Sequence, residues 1–339
     1  MGYGRIQMQT EKQPTNRPRE DLCTDFLDCW QRLPNKGFFL ALLAAWLALF
    51  HFQGNSTLGY IRTPSLLLWM YKAYHPSDEW PGDSDDAHGL LVPFVVVGLF
   101  WWKRRQLLEL PLKAWWPSLL LVSLGLVLHV LGYAVQQPRI SIIALFTGIY
   151  GLMGLAWGRQ WLRASFFPFF LFAFCVPLGS LAQPITFPLR LLVCRLVELV
   201  SQSVLATDII RDGTILRDST GQYQYEVAAA CSGIRSLIAT LALAMIYALM
   251  STPKWWKRAL LMASAFPLAV IGNVLRMLSI VVAAEVGGQQ AGEYIHQGGP
   301  GGVLSLLPYL LSFAGLLLLG HWLRERELEG GLPLEAKAT

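Results

Sequence analysis

The sequence predicts an all-α polytopic membrane protein with about eight transmembrane helices, both termini cytoplasmic, on three observations. The chain of 339 residues is 54% hydrophobic and only 14% charged, with 13 Trp, a balance that excludes an ordinary soluble domain. Its apolar residues gather in runs close to the ~20 residues a bilayer-crossing helix needs. Its Lys and Arg fall on alternate connections between those runs.

The runs are Gly37–His51, His88–Trp102, Trp115–Ala134, Ile140–Trp157, Leu162–Leu181, Val227–Met250, Ala259–Val286 and Val303–Trp322. Basic residues mark the inner side: Arg5 to Lys36, Lys103-Arg104-Arg105 with Lys113, Arg159 and Arg163, Lys254 with Lys257 and Arg258, and Arg324 with Arg326. The outer connections are the acidic stretch Asp78 to Asp86, the turn Gln136 to Arg139, the polar stretch Ala206 to Glu226, and Gly287 to Gly302 with no Lys or Arg. A net charge of +5 does not indicate nucleic acid, because the basic residues form short clusters beside apolar runs and no continuous patch.

Between Gln183 and Thr207 apolar residues recur at helical spacing with Arg190, Arg195 and Glu198 interleaved. That pattern predicts an interfacial or re-entrant helix rather than a span. After it, short β-type runs around Asp212-Gly213 and Thr220-Gly221 predict a small extracytoplasmic β-hairpin. The expected organisation is a cytoplasmic N-terminal arm over residues 1–36, a transmembrane catalytic domain over 37–322 and a cytoplasmic tail over 323–339. The first apolar run has no small-residue cleavage site, so a retained anchor is expected.

Five cysteines (Cys23, Cys29, Cys175, Cys194, Cys231) show neither a CxxC pair nor zinc-type spacing, so no metal, cofactor or disulfide framework is expected. Ionisable residues inside a span each cost at least ~2.5 kcal/mol and face a partner or a watery cavity. In the sixth run Arg235 follows Cys231 by one helical turn, with Glu226 just ahead of the run. In the seventh, "GNVLRML" sets Asn273 and Arg276 three apart; Arg276 is some eleven residues, ~16 Å, from the outer end of the run. His296 falls in the outer Gly-rich loop "EYIHQGGPGG", on the same side as Cys231. A thiol attacks as thiolate and needs a base; an imidazole supplies one, and an arginine fork holds a developing oxyanion. Cys231, His296 and Arg276 therefore suit cysteine-dependent acyl transfer. The same residues leave open a transporter or channel with an intramembrane arginine, or a non-catalytic subunit of a polysaccharide export complex.

"AACSGIRSL", "GNVLRM" and His296 in its Gly-rich loop resemble the ordered motifs of the exosortase/archaeosortase transpeptidases, and "DAHGLLVP" at residues 86–93 resembles their His-Gly motif. The resemblance implies Cys231 as nucleophile, Arg276 as the essential arginine and His296 as the third catalytic member. It adds His88 as a substrate contact. Arg235 is expected against a substrate carboxylate or behind the thiol, or paired with Glu226, and Asn273 beside Arg276. The resemblance further implies a bacterial inner-membrane enzyme with its active site facing the periplasm. Its partners would be membrane lipid and secreted proteins with C-terminal sorting signals: a Pro-Glu-Pro-like motif, a hydrophobic helix and a basic tail. Exopolysaccharide machinery is a further implied partner; no nucleic acid is.

Overall fold

In the structure, a computed structural model, the described residues are 22–56, 61–75, 84–178, 183–221, 223–226, 234–252, 254–299, 303–304 and 306–330. They form α1 (Leu22–Arg32), α2 (Lys36–Phe52), α3 (Leu66–Tyr74), α4 (Val92–Leu108), α5 (Leu119–Ala134), α6 (Pro138–Trp157), α7 (Arg159–Phe170) and α8 (Gln183–Ser203). A sheet of β1 (Ile209–Asp212), β2 (Ile215–Asp218) and β3 (Gln224–Glu226) follows, then α9 (Ile234–Ser251), α10 (Trp255–His296) and α11 (Leu307–Gly330). Among the described residues three helical stretches are long and apolar enough to cross a bilayer: Trp116–Ala134, Pro138–Trp157 and Trp255–His296. A fourth arises if Thr24–Arg32 and Lys36–Phe52, bent by 91°, count as one.

Close helix packing depends on small residues and on indole donors, as expected where lipid supplies no hydrophobic drive between helices. A Cβ on Gly148 of α6 would stand 1.9 Å from the Trp46 ring, so only glycine lets α2 seat there. The Trp46 indole then donates to Leu145 O at 3.0 Å. The principal core joins α2, α3, α4, α6 and α9 through Phe50, Leu66, Val96, Ile142 and Met245, all buried. A second core binds the sheet to α8 and α10.

The sheet is antiparallel in the order β1-β2-β3, with Asp212 opposite Ile215 and Leu216 opposite Tyr225. Its inward residues Ile209, Leu216, Tyr223 and Tyr225 alternate with exposed ones and cover Val193, Cys194 and Val197 of α8 and Met277, Ile280 and Val281 of α10. Glu198 of α8 binds Arg211 of β1 at 3.1 Å and accepts its main-chain N–H at 3.3 Å.

Several expectations change. The hairpin is a three-stranded sheet, because the segment after Gly221 (φ 77°) turns back as β3. The fifth run ends its α-helix at Phe170 and passes through a 3-10 turn, Leu171–Cys175, before Val176, which precedes Pro177 and so leaves helical geometry. α1 and α3 were not expected: both are shorter than a span, and α3 starts at Ser65, whose hydroxyl accepts from Leu68 N at 3.1 Å. The last run's helix continues past Trp322 to Gly330. The sixth run is described from Ile234 onward; its beginning lies outside the described residues.

Candidate active site

α10 carries three of the expected site residues, Asn273, Arg276 and His296, and brings the last two together. From Trp255 to Gly287 it extends about 50 Å at 1.5 Å per residue, well beyond a ~30 Å hydrocarbon layer. Counted from Ala259, the first residue past the Lys257-Arg258 pair, ~20 residues of hydrocarbon end at Leu278. Arg276 thus stands at the far edge of that length rather than ~16 Å inside it. The residues beyond it are apolar for another reason: Ile280, Val281 and Ala284 are buried under the sheet.

At Gly288 the chain reverses. Its φ 72° and ψ −172° lie in a region essentially restricted to glycine. Residues 289–296 then form a second helical leg lying back along the first. A Cβ on Gly292 would be 3.0 Å from the Ala284 Cβ and 2.0 Å from the Tyr225 hydroxyl oxygen, so the legs and β3 meet on a glycine. Tyr225 donates to Gln289 O at 2.8 Å, and the Gln289 side chain pairs with both main-chain groups of Gln224 at 3.0 and 3.3 Å. Tyr223 donates to Glu285 Oε1 at 2.5 Å. The leg closes with Gly298 N bound to Ile295 O at 3.0 Å and Gly299 N to Tyr294 O at 2.8 Å, a Schellman cap with Gly298 at φ 99°.

His296 is therefore the last residue of a helix, not part of a loop. The Gly-rich stretch that reads as one loop holds two separate devices, a hinge at Gly288 and a cap at Gly298, with helix between them. The Arg276 guanidinium donates through Nη2 to His296 O at 3.3 Å. Its Nε–H is buried and has no hydrogen-bond partner among the described residues. The His296 side chain is 28% exposed, with Nδ1 3.8 Å from Glu293 Oε1. Beside Arg276 is a groove of about 520 Å³ whose walls are mostly apolar: Val200 in the last turn of α8 and Leu205 just after it, Leu275, Val282 and Val286 of α10, and Ile295 of the returning leg.

Asn273 points elsewhere. It is offset from Arg276 by only ~60° around the helix, but its amide lies at the junction with Leu189, Val193 and Leu237, where it donates to Ala269 O at 2.9 Å. His88 is half-buried in the 3-10 turn Ser84–Leu90. That turn packs against α9 and is fastened by Asp86, which accepts from Leu178 N at 3.2 Å, and by Gly89, set against the Tyr74 ring with no room for a Cβ. Cys231 lies outside the described residues, as do the side chains of Glu226 and Arg235. On one side of that segment β3 is tied to Gln289; on the other, Leu237 of α9 meets Asn273 of α10.

The described cysteines are poor nucleophile candidates. Cys175 is buried with Sγ 3.6 Å from Gly89 O. Cys194 is buried under the sheet, donates to Thr214 O at 3.7 Å, and burial pushes its thiol up to about 11. Cys29 sits on α1, a separate element.

A family model described as transmembrane exosortase matches residues 80–314. No curated protein and no solved structure matches the chain. The matched residues include His88, Cys231, Arg276 and His296, and they take in the Gly288 reversal that joins the last two. The chain is a membrane protein that belongs to the transmembrane exosortase family.

Proposed function

We propose that the protein is a membrane-embedded cysteine transpeptidase that removes C-terminal sorting signals from exported proteins and passes the shortened chain to an acceptor. Cys231 attacks the scissile carbonyl after losing its proton to His296. The Arg276 Nε–H and guanidinium charge hold the oxyanion. The C–N bond then breaks, His296 protonates the departing amine, and the carried protein remains as a thioester on Cys231 until an acceptor amine or water releases it. Glu226, Arg235, Asn273 and His88 belong to the proposed surroundings of the thiol and the substrate.

The observation that carries this reading is the Arg276 side chain: one donor anchors the His296 turn while the buried Nε–H, beside a groove, has no partner among the described residues. A buried donor without a partner is costly to keep, about 1–3 kcal/mol, and an incoming oxyanion would satisfy it. The inclusion of Cys231 is supported by the described residues on either side of 227–233: Tyr225 of β3 donates to Gln289 O, and Leu237 of α9 lines a cavity with Asn273 of α10. The apolar groove supports a substrate whose tail is itself a membrane helix. We place the site on the periplasmic face of a bacterial inner membrane, in a bundle of about eight spans serving exopolysaccharide-linked export.

The test is an intact-mass assay of a tail-bearing substrate co-expressed with wild type, Cys231→Ala, Cys231→Ser, Arg276→Ala or His296→Ala. Loss of trimming in the three alanine variants, with membrane insertion retained, is the expected result. Normal trimming by Cys231→Ala would overturn the reading. A silent Cys231→Ala together with anion flux abolished by Arg276→Ala would favour a transporter.

A further inference from the structure

His296 has a carboxylate beside it that the transfer chemistry above does not use. Glu293 lies one turn earlier on the same helical leg, with Oε1 3.8 Å from His296 Nδ1. Gln297, on the other side of the histidine in sequence, donates its amide to that same oxygen at 3.1 Å. The carboxylate is thus held from one side and turned toward the ring. The sheet bounds it as well: the Tyr225 phenol is pushed up foremost by burial and further by the Glu293 charge. The main chain of His296 is restrained independently, through Arg276 Nη2 on its carbonyl at 3.3 Å.

We propose that Glu293 is a positioning residue that selects the Nδ1–H tautomer of His296, so that Nε2 is the bare nitrogen available to accept a proton. The physical basis is that a neutral imidazole donates from one nitrogen and accepts at the other, and the partner of one nitrogen decides the state of the other. At 3.8 Å the Glu293 oxygen faces Nδ1 at a separation longer than a hydrogen bond. Such contacts tighten when substrate fills a site. What Nε2 then does, taking the Cys231 proton, rests on the proposed transpeptidase reading; the tautomer assignment does not.

The experiment is 15N magic-angle-spinning NMR of the full chain in lipid bilayers with 15N-histidine, above the pH range in which imidazole is charged. His296 is assigned by the resonance lost in His296→Asn. Wild type is expected to show a protonated Nδ1 and a bare Nε2. Glu293→Gln keeps that pattern because its amide oxygen still accepts, whereas Glu293→Leu and Glu293→Ala move the proton to Nε2. A wild-type proton on Nε2, or no change in Glu293→Leu and Glu293→Ala, overturns the proposal. In the trimming assay Glu293→Leu lowers kcat on the order of 10²-fold with KM unchanged, and Glu293→Gln restores most of the rate. A wild-type kcat in Glu293→Leu overturns the positioning role even where the tautomer moves. Trimming by Cys231→Ala would instead remove the transpeptidase reading, and the NMR result would still decide the tautomer.

Discussion

Gly288 determines whether the histidine and the arginine meet. Its φ 72° and ψ −172° would place a side chain in a conformation that costs about 1–3 kcal/mol, although open space surrounds the position. Gly288→Ala should therefore destabilise the fold by about that amount and uncouple His296 from Arg276. Thermal unfolding in detergent reads the first effect; trimming, expected to fall at least tenfold, reads the second. Arg276→Lys keeps the charge but loses the fork that donates to His296 O and the Nε–H that has no partner among the described residues, so it should recover little of the activity lost in Arg276→Ala. As candidates these residues were legible because a charge and a thiol inside apolar runs demand an explanation. The way they meet was not. Gly287-Gly288 and Gly298-Gly299 have the composition of a loop, and the eight-residue helix between them is too short to announce itself by periodicity.

Among the elements, the sheet shows how an apolar run misleads. Ile280, Val281 and Ala284 read as part of the seventh apolar run, yet they are buried by residues of the sheet. Period alone cannot distinguish burial in lipid from burial in protein. Tyr225→Phe should cost about 1 kcal/mol by removing the donor to Gln289 O, with the second leg of α10 losing hydrogen-exchange protection before the rest of the helix. α1 is held differently. Asp25 binds Arg104, with Nε at 3.1 Å, and Arg105 at 3.9 Å, while Phe26 lies 5.9 Å from Trp101. The Arg104 hydrogen bond holds the Asp25 carboxyl below the ordinary carboxylate range. A depressed folded-state value means that the latch is fully present above about pH 4 and is lost as pH falls through the folded-state value. Asp25→Asn should reproduce the acid state at neutral pH. Faster exchange of the residue 22–32 amides in that variant, with α2 unchanged, is the measurement that checks it.

At the scale of the whole molecule, the sequence reading and the structure agree on a helical membrane protein with a small sheet and a further helix, α8, packed against it. The family match spans the same arrangement from the His-Gly turn into α11. The molecule can be read as a frame, α2 to α6, whose core takes in Met245 and Leu249 of α9, beside a working half in which α8, the sheet and α10 share one core. The frame supports the working half through the Ser84–Leu90 turn, where Asp86 and Gly89 lock the His88 segment next to α9. The central claim is that the Cys231 thiol shares a site with His296 and Arg276, and its reactivity tests this without any substrate. The measurement is the iodoacetamide alkylation rate of each cysteine, followed by peptide mass spectrometry on the full chain in lipid. Cys231 should react well ahead of the buried Cys175 and Cys194 and slow by about tenfold in His296→Ala and in Gly288→Ala. A Cys231 that reacts no faster than Cys194, or whose rate is indifferent to His296→Ala, would contradict the account.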